Sequence, residues 1–146
     1  MRSSINDPIG PGVHVSTNNK KILVVDDASL VRLYYRSILE SAGFQVAEAL
    51  NGLEALEKLL NTPVDGLPDM LIVDVNMPHM DGFTFLNLLR QKELPIASIP
   101  ALITSTESGE KDFAAARTAG ANFYLVKPIT GNDLVEFASM ICGVSQ

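Results

Sequence analysis

The sequence has one cysteine, Cys142, and no tryptophan. A lone cysteine cannot form an internal disulfide, which excludes the disulfide-rich secreted domains and suits a reducing compartment. Long apolar runs are also missing, because stretches such as residues 22–25 are far shorter than the roughly 18 residues needed to cross a bilayer. The first residues lack the apolar core of a signal peptide. We therefore expect a cytoplasmic protein with no membrane partner.

Basic residues are scarce as well. The chain carries 11 lysines and arginines against 17 aspartates and glutamates, which gives a net charge of −6. Nucleic-acid binding needs a basic surface that faces the phosphates, and anionic membranes attract basic segments. The acidic balance therefore argues against both kinds of partner.

The chain has 146 residues, of which 47% are hydrophobic, and these values suit a single globular domain. Residues 1–19 are rich in proline, glycine, serine and asparagine and show no periodicity, which predicts a flexible leader. The regular pattern begins at Lys20, and we expect one folded domain over residues 20–143.

Short apolar runs recur along this domain and predict strands. Four of them are continuous, which is typical of strands buried on both faces. These four are residues 22–25, 70–73, 101–103 and 123–126. A fifth run, residues 44–50, alternates more between apolar and polar side chains and predicts an edge strand.

Amphipathic helical patterns separate the strands. Their apolar stripes are Val31, Tyr34 and Ile38; Leu53, Leu56 and Leu60; Phe85, Leu88 and Leu89; and Leu134, Phe137, Ala138 and Ile141. A weaker pattern covers residues 113–119, and Gly43 and Gly120 lie where helices should end. Five strand–helix units in alternation predict an α/β fold, a doubly wound parallel sheet with helices on both faces.

The carboxyl ends of the predicted strands carry the polar residues of interest, and ligands of such sheets bind at that edge. They are Asp26, Asp27, Asp74, Thr104, Ser105 and Lys127. Clustered carboxylates repel one another unless a cation intervenes. Oxygen ligands of this kind suit Mg²⁺, which completes its shell with water and phosphate. A carboxylate between Mg²⁺ and a lysine is expected of a nucleophile that attacks phosphorus.

Each of these pieces has a simpler structural explanation. An aspartate pair before a helix commonly caps it, and a lysine–proline pair often only ends a strand. The hydroxyls of residues 104–106 can cap the following helix. Those explanations do not account for all the pieces occurring together at successive strand ends, so the sequence predicts one pocket that contains them.

Four motifs, ILVVDDASLVR, LIVDVNMPHMDG, LITSTES and YLVKPI, resemble the receiver domains of two-component response regulators, the chemotaxis type included. The resemblance covers residues 20–143. It implies a flavodoxin-like sheet of five parallel strands in the order 2-1-3-4-5, with five helices. It also implies a signalling domain that catalyses only its own phosphorylation and slow dephosphorylation.

The same resemblance implies roles for the residues that bind metal and phosphate. Asp74 would accept the phosphoryl group, and Asp74 and Asp27 would bind Mg²⁺ directly. Asp26 would hold a metal-bound water, and Asn76 would offer its backbone carbonyl to the metal. Lys127 would pair with Asp74 at rest and with a phosphoryl oxygen afterwards.

The resemblance further implies a switch. Thr104 would turn to hydrogen-bond the phosphoryl group, and Tyr124 would turn inward as Thr104 leaves its resting place. The surface formed by helix 4, strand 5 and helix 5 would then change for a downstream effector protein. The implied phosphoryl donor is a sensor histidine kinase or a phosphotransfer protein, and the implied state is a monomer or a weak dimer. The Lys127–Pro128 bond is expected in cis.

Several residues depart from the family pattern or have no assigned role. Ser105 stands where the family usually has alanine or glycine, and its hydroxyl would either crowd the phosphoryl group or donate to it. Asn76 and Thr106 occupy positions that tune hydrolysis in the family. We interpret Tyr34 and Tyr35 as packing residues of the first helix.

Three other functions fit parts of the pattern. A haloacid dehalogenase-type phosphatase also uses an aspartate nucleophile, Mg²⁺ and a lysine, but it needs an aspartate where this chain has Asn76. A flavodoxin needs a phosphate-binding loop after strand 1, where this chain has two anions. An inactive receiver that serves only as an interaction platform remains the third alternative.

Overall fold

The computed structural model describes residues 17–145, so residues 1–16 of the predicted leader lie outside the described part of the chain. The strands are β1 (Lys21–Val25), β2 (Gln45–Ala49), β3 (Met70–Asp74), β4 (Ala101–Ser105) and β5 (Phe123–Val126). The helices are α1 (Ser29–Ser41), α2 (Gly52–Leu60), α3 (Gly82–Leu89), α4 (Glu110–Ala119) and α5 (Gly131–Cys142). No helix within these residues is long and apolar enough to cross a bilayer.

The strands form one parallel sheet in the order β2-β1-β3-β4-β5, as the resemblance implied. Two apolar layers cover its faces. Leu56, Phe85 and Ala119 bring α2, α3 and α4 onto one face. Tyr35 and Leu134 bring α1 and α5 onto the other. The predicted doubly wound α/β fold is therefore confirmed.

The burial predicted for the strands is right for four of them and wrong for one. β1, β3 and β4 are buried, and β2 is an edge strand as expected. We predicted that residues 123–126 are buried on both faces, but β5 is the second edge, and its last residue, Val126, is 39% exposed. An apolar run reports the side chains alone, whereas position in the sheet depends on pairing with distant strands.

Two of the predicted helix stripes are also displaced. In α1, Tyr34 is 46% exposed, and the deeply buried residues are Tyr35 and Leu39. In α2, Leu53 and Leu60 point outward, and Ala55 and Leu59 are buried instead. Apolar residues on neighbouring stripes share the same spacing, so periodicity leaves the rotation of a helix uncertain by about one residue.

The predictions for helix ends and for the remaining helices hold. Gly43 and Gly120 adopt left-handed backbone conformations, with φ of 98° and 105°, next to the ends of α1 and α4. Phe85, Leu89 and Leu134 are fully buried. The weak pattern over residues 113–119 corresponds to the carboxyl-terminal part of α4.

Candidate functional site

The strand register places the predicted site at the carboxyl edge of the sheet. Asp74, the last residue of β3, pairs with Thr104 of β4, which pairs in turn with Leu125 of β5. Asp26 directly follows β1, and its N–H donates to the carbonyl of Ala49 at the end of β2. Asp74, Thr104 and Ser105 were expected just beyond their strands, but they form the final residues of β3 and β4.

Three carboxylates meet at this edge. Asp26, Asp27 and Asp74 each place an oxygen within 4.8 Å of the others. Asp26 is 1% exposed and Asp74 is 7% exposed, whereas Asp27 faces solvent. One carboxylate oxygen, Asp26 Oδ2, is fully buried and has no hydrogen-bond partner among residues 17–145. An acidic group of this depth is poorly solvated, so a cation would stabilise it.

The aspartate pair does not cap α1. The N-cap residue of this helix is Ala28, and no side chain in the described part of the chain makes a capping hydrogen bond there. Asp26 Oδ1 accepts from the N–H of Ala28 at 2.9 Å, which turns the chain from β1 toward the helix. The simple capping explanation therefore leaves Asp27 and the second oxygen of Asp26 unexplained.

Lys127 lies across the pocket from the acidic pair. Its Nζ is 2.9 Å from Asp74 Oδ1 and 3.5 Å from Asp26 Oδ2. The N–H of Lys127 donates to the carbonyl of Ser105, which fixes the end of β5 against β4. The Lys127–Pro128 bond is cis, as expected. The site thus joins three carboxylates to a single ammonium within the described part of the chain.

The charges of the pocket do not balance, and the pKa values reflect this. Burial raises the pKa of Asp74, the hydrogen bond from Lys127 opposes the rise, and the charge of Asp26 adds to it. Burial alone would lower the pKa of Lys127, but the hydrogen bond with Asp74 and the charges of Asp74, Asp26 and Tyr35 together outweigh burial and leave the pKa raised. The lysine therefore stays charged, whereas ionisation of the Asp74 carboxylate still costs free energy in this pocket.

The hydroxyl residues that follow along β4 have different surroundings. Thr104 is fully buried, and its Oγ1 makes no well-formed hydrogen bond within the described residues. Ser105 Oγ accepts from the N–H of Glu107 at 3.0 Å, so the hydroxyl that departs from the family pattern is engaged by the loop. Helix α4 begins only at Glu110, and its N-cap is Gly109, so residues 104–106 do not cap it.

Tyr124 lies on β5, beside the loop that follows β4. Its hydroxyl donates to the carbonyl of Glu107 at 2.8 Å. Its ring packs edge-on against Phe113 of α4, with the ring centroids 4.8 Å apart. The residue is half-buried, which places the predicted switch aromatic at the surface side of β5.

The loop after Asp74 holds Asn76, which is exposed, and Met77, which is buried. This loop turns back sharply, because the N–H of Gly82 donates to the carbonyl of Val75 at 2.9 Å. A side chain at Gly82 would meet the carbonyl oxygen of Asp74 at 2.4 Å, so only glycine fits there. The close approach fixes the backbone next to the acidic cluster.

Sequence reasoning missed two residues beside the site. Arg32 donates to the backbone carbonyl of Asp26 at 2.7 Å and also pairs with Glu48. Tyr35, interpreted as a packing residue, is buried beside the pocket. Burial raises the pKa of Tyr35 to about 12, and its hydroxyl experiences the charges of Lys127 and Asp26. Moving the predicted apolar stripe of α1 by one residue along the sequence would have placed Tyr35 on the buried side of the helix.

Comparison with known proteins agrees with this geometry. A family model described as the response regulator receiver domain matches residues 22–139. The chemotaxis protein CheY1 of Helicobacter pylori is 36% identical over 126 residues, covering 86% of this chain and 98% of CheY1. The sensor histidine kinase CheAY of the same species is 37% identical over 117 residues, covering 77% of this chain. The chain spans only 14% of that kinase.

Solved structures lead to the same family. The chemotaxis protein CheY4 of Vibrio cholerae has a TM-score of 0.75 with this chain at 31% identity, covering 84% of this chain and 98% of CheY4. The family match includes the whole acidic cluster and Lys127. The chain therefore belongs to the receiver domains of response regulators, the signalling proteins of two-component systems, and is of the CheY-like type.

Proposed function

We propose that this receiver domain accepts a phosphoryl group on the carboxylate of Asp74 from a phosphohistidine, in a reaction that requires Mg²⁺. The observation that carries the proposal is the pocket itself. Three carboxylates lie within 4.8 Å of one another, and the ammonium of Lys127 is 2.9 Å from Asp74. This arrangement offers a nucleophilic oxygen with positive charge beside it.

In the proposed transfer, an Asp74 oxygen attacks phosphorus while the bond between phosphorus and the donor imidazole breaks. The product is an acyl phosphate on Asp74, and the released imidazole nitrogen takes up a proton from water. Lys127 is placed to leave the carboxylate and hold a phosphoryl oxygen, because its ammonium is a mobile donor on a flexible stem. Asp74 must be ionised to attack, and Lys127 supports that state by lowering its pKa against the effect of burial.

The residues present fit a divalent cation. Receiver domains bind Mg²⁺ at an acidic pocket, and here the acidic pocket contains a buried carboxylate oxygen that has no hydrogen-bond partner within residues 17–145. We assign Asp27, Asp74 and the backbone carbonyl of Asn76 as ligands, and Asp26 as the holder of a metal-bound water. Bound Mg²⁺ would neutralise charge on the phosphoryl oxygens and on the carboxylates.

The proposed switch begins at Thr104. A phosphoryl group adds nearly two negative charges and new acceptor oxygens at this end of the sheet. The buried hydroxyl of Thr104 has no well-formed hydrogen bond among residues 17–145, and it belongs to the β4 residue that pairs with Asp74. As Thr104 turns, Tyr124 moves inward into the space released, and the surface of α4, β5 and α5 changes for an effector protein.

A comparison of metal-dependent labelling between two variants tests this proposal. The wild-type chain is incubated with a small phosphoryl donor and Mg²⁺, and intact mass reports the added group. Asp74→Asn should abolish labelling. The matched control is Asp65→Asn, which changes an exposed aspartate near the opposite edge of the sheet and should label like the wild type.

The remaining outcomes separate the alternatives. Labelling of Asp74→Asn equal to that of the wild type would refute Asp74 as the acceptor. No labelling of the wild type, with or without Mg²⁺, would favour an inactive receiver that acts as an interaction platform. Multiple turnovers of small phosphate esters would instead favour a phosphatase, although Asn76 lacks the acid that such chemistry needs.

A further inference from the structure

Arg32 lies near the start of α1, and its guanidinium forms hydrogen bonds in two directions. Nη1 donates to the backbone carbonyl of Asp26 at 2.7 Å, and Nε donates to Oε1 of Glu48 on β2 at 2.7 Å. The side chain of Arg32 is only 11% exposed. Because a guanidinium is a rigid planar fork, these two bonds fix the carbonyl of Asp26 relative to the edge strand β2. Arg32 has no part in the proposed phosphoryl transfer.

The turn that Arg32 holds carries two of the three acids of the pocket. The carbonyl of Asp26 belongs to the same planar peptide group as the N–H of Asp27, so a bond to that oxygen orients both residues. Asp26 is held further, because its N–H donates to the carbonyl of Ala49 and its Oδ1 accepts from the N–H of Ala28. The carboxylate of Asp27 is exposed, and no hydrogen bond holds it within residues 17–145. The position of Asp27 therefore depends on the backbone of this turn.

The acid on the other side of the fork is itself fixed. Oε2 of Glu48 accepts from Nε of Arg36 at 2.7 Å, so both oxygens of this carboxylate are bonded to an arginine. Glu48 pairs with Val24 in the register of β2 with β1, which ties it to the sheet. The positive charge of Arg32 is thus paired with an acid outside the pocket, and this pairing weakens its repulsion of a cation bound inside.

We propose that Arg32 is a positioning residue for Mg²⁺, whose fork holds the turn of Asp26 and Asp27 in the arrangement that binds the metal. This inference rests on the Mg²⁺ site of the proposed phosphorylation. Residues that lie behind metal ligands commonly fix the orientation of those ligands, and their loss weakens metal binding. Arg32 acts through the backbone, because its bond to the pocket is to the carbonyl of Asp26.

The central test uses the sign of a change in Mg²⁺ affinity, measured by calorimetric titration of the phosphate-free proteins with MgCl₂. Arg32→Met keeps an unbranched stem and removes both the charge and the fork. A positive charge near the pocket repels Mg²⁺, so loss of the charge alone would strengthen binding. Loss of the fork frees the turn, so we expect the affinity to fall about tenfold. An affinity equal to that of the wild type, or tighter, would overturn the proposal.

Arg36→Met is the matched control. Arg36 lies one turn further along α1 and pairs with Glu48 and Glu40, without a bond to the turn of Asp26 and Asp27 within the described residues. This variant loses the same charge and a bond to the same acid, so its Mg²⁺ affinity should equal the wild-type value or slightly exceed it. Equal weakening in both variants would overturn the proposal, because the outer cluster as a whole, and not the bond to Asp26, would then set the affinity.

A second variant keeps the test decisive if Arg32→Met fails to fold. Arg32→Lys retains the charge, but a single ammonium does not reproduce the two fixed directions of the fork. Its Mg²⁺ affinity should fall between the wild-type value and that of Arg32→Met. Wild-type affinity in Arg32→Lys would overturn the role of the fork. Glu48→Gln leaves an amide oxygen for Nε of Arg32, so it should keep the wild-type affinity.

Labelling kinetics distinguish positioning from catalysis and keep this inference apart from the proposed phosphorylation. At Mg²⁺ concentrations that saturate each protein, a small phosphoryl donor should label Arg32→Met at close to the wild-type rate, because only metal binding is weakened. Slower labelling at saturation would overturn a role confined to the metal. A wild-type chain that binds Mg²⁺ without being labelled would contradict phosphorylation of Asp74 alone, and the affinities would still decide the role of Arg32. A wild-type chain that binds no Mg²⁺ would overturn both proposals.

Discussion

Two clusters of charged side chains meet near the start of α1, and Arg32 touches both. In the outer cluster, Glu48 accepts from Arg32 and Arg36 at 2.7 Å each, and Arg36 also pairs with Glu40 at 2.7 Å. Two acids therefore face two bases. The bond from Arg36 lowers the pKa of Glu48, which is the expected result of balanced pairing near solvent.

The inner cluster, the acidic pocket, has the opposite character. Three carboxylates lie together, and the one ammonium described beside them pairs with Asp74 and Asp26. Asp26 Oδ2 lacks a hydrogen bond within the described residues, and burial raises the pKa of Asp74. Ion pairs of similar length therefore serve different ends in the two clusters. The balanced charges of the outer cluster make it a stabilising contact, whereas the excess of negative charge makes the pocket suitable for binding a cation.

The largest effect on the labelling rate is expected when the pocket loses the ammonium of Lys127. Lys127→Ala removes the ammonium beside Asp74, so the rate of labelling by a small phosphoryl donor should fall about a hundredfold or more. Lys58→Ala is the matched control, because Lys58 donates to the carbonyl of Glu48 outside the pocket. Labelling kinetics by intact mass measure both. A fall of equal size in the control would show that general charge, and not position, matters.

A smaller effect is expected for metal affinity. Asp27→Asn removes one charge from the excess in the pocket, so the affinity for Mg²⁺ should weaken about tenfold or more. Glu48→Gln, in the balanced cluster, should leave that affinity unchanged. Calorimetric titration of the phosphate-free proteins with MgCl₂ gives both values. Equal affinity in Asp27→Asn and the wild type would argue against Asp27 as a ligand.

The smallest effect is expected in the outer cluster, and it depends on pH. The folded pKa of Glu48 is lowered, so its stabilising contribution is present above the unfolded pKa and is lost as pH falls through the folded pKa. Glu48→Gln should therefore cost ~1 kcal/mol in the free energy of unfolding at neutral pH. The difference from the wild type should disappear at acidic pH.

Urea unfolding at several pH values measures this difference. Glu57→Gln is the control, since Glu57 is exposed and makes no ion pair within residues 17–145. A cost for Glu48→Gln that stays constant from neutral to acidic pH would show that the two arginines do not act through its charge.

The sequence predicted much of the fold because local signals were strong. Continuous apolar runs marked β1 and β3 to within one residue, and glycines marked the ends of α1 and α4. The strand order came from family resemblance, because nothing local to a strand says which partner it takes. The same limit explains the wrong prediction of burial for β5, whose apolar run looks like a central strand although, among the described strands, it pairs with β4 alone.

The site was predictable in part for a related reason. Asp26, Asp27, Asp74 and Lys127 follow or end strands of the sheet. Parallel strands bring their carboxyl ends to one edge, so the alternation of strands and helices along the sequence was enough to predict that these residues meet. Tyr35 was missed because its place depends on the rotation of α1 against the sheet. That rotation is set by packing on distant residues such as Leu134 and Ala138.

The loop after β4 has a consequence for how motion could travel from the pocket. Glu107 is bonded on both sides of its backbone, since its N–H is held by Ser105 Oγ and its carbonyl by the Tyr124 hydroxyl. If the Tyr124 ring leaves, only the carbonyl bond is broken. The loop would then move while its N–H stays bonded to Ser105. The few residues between Ser105 and the first turn of α4 would limit how far it can move.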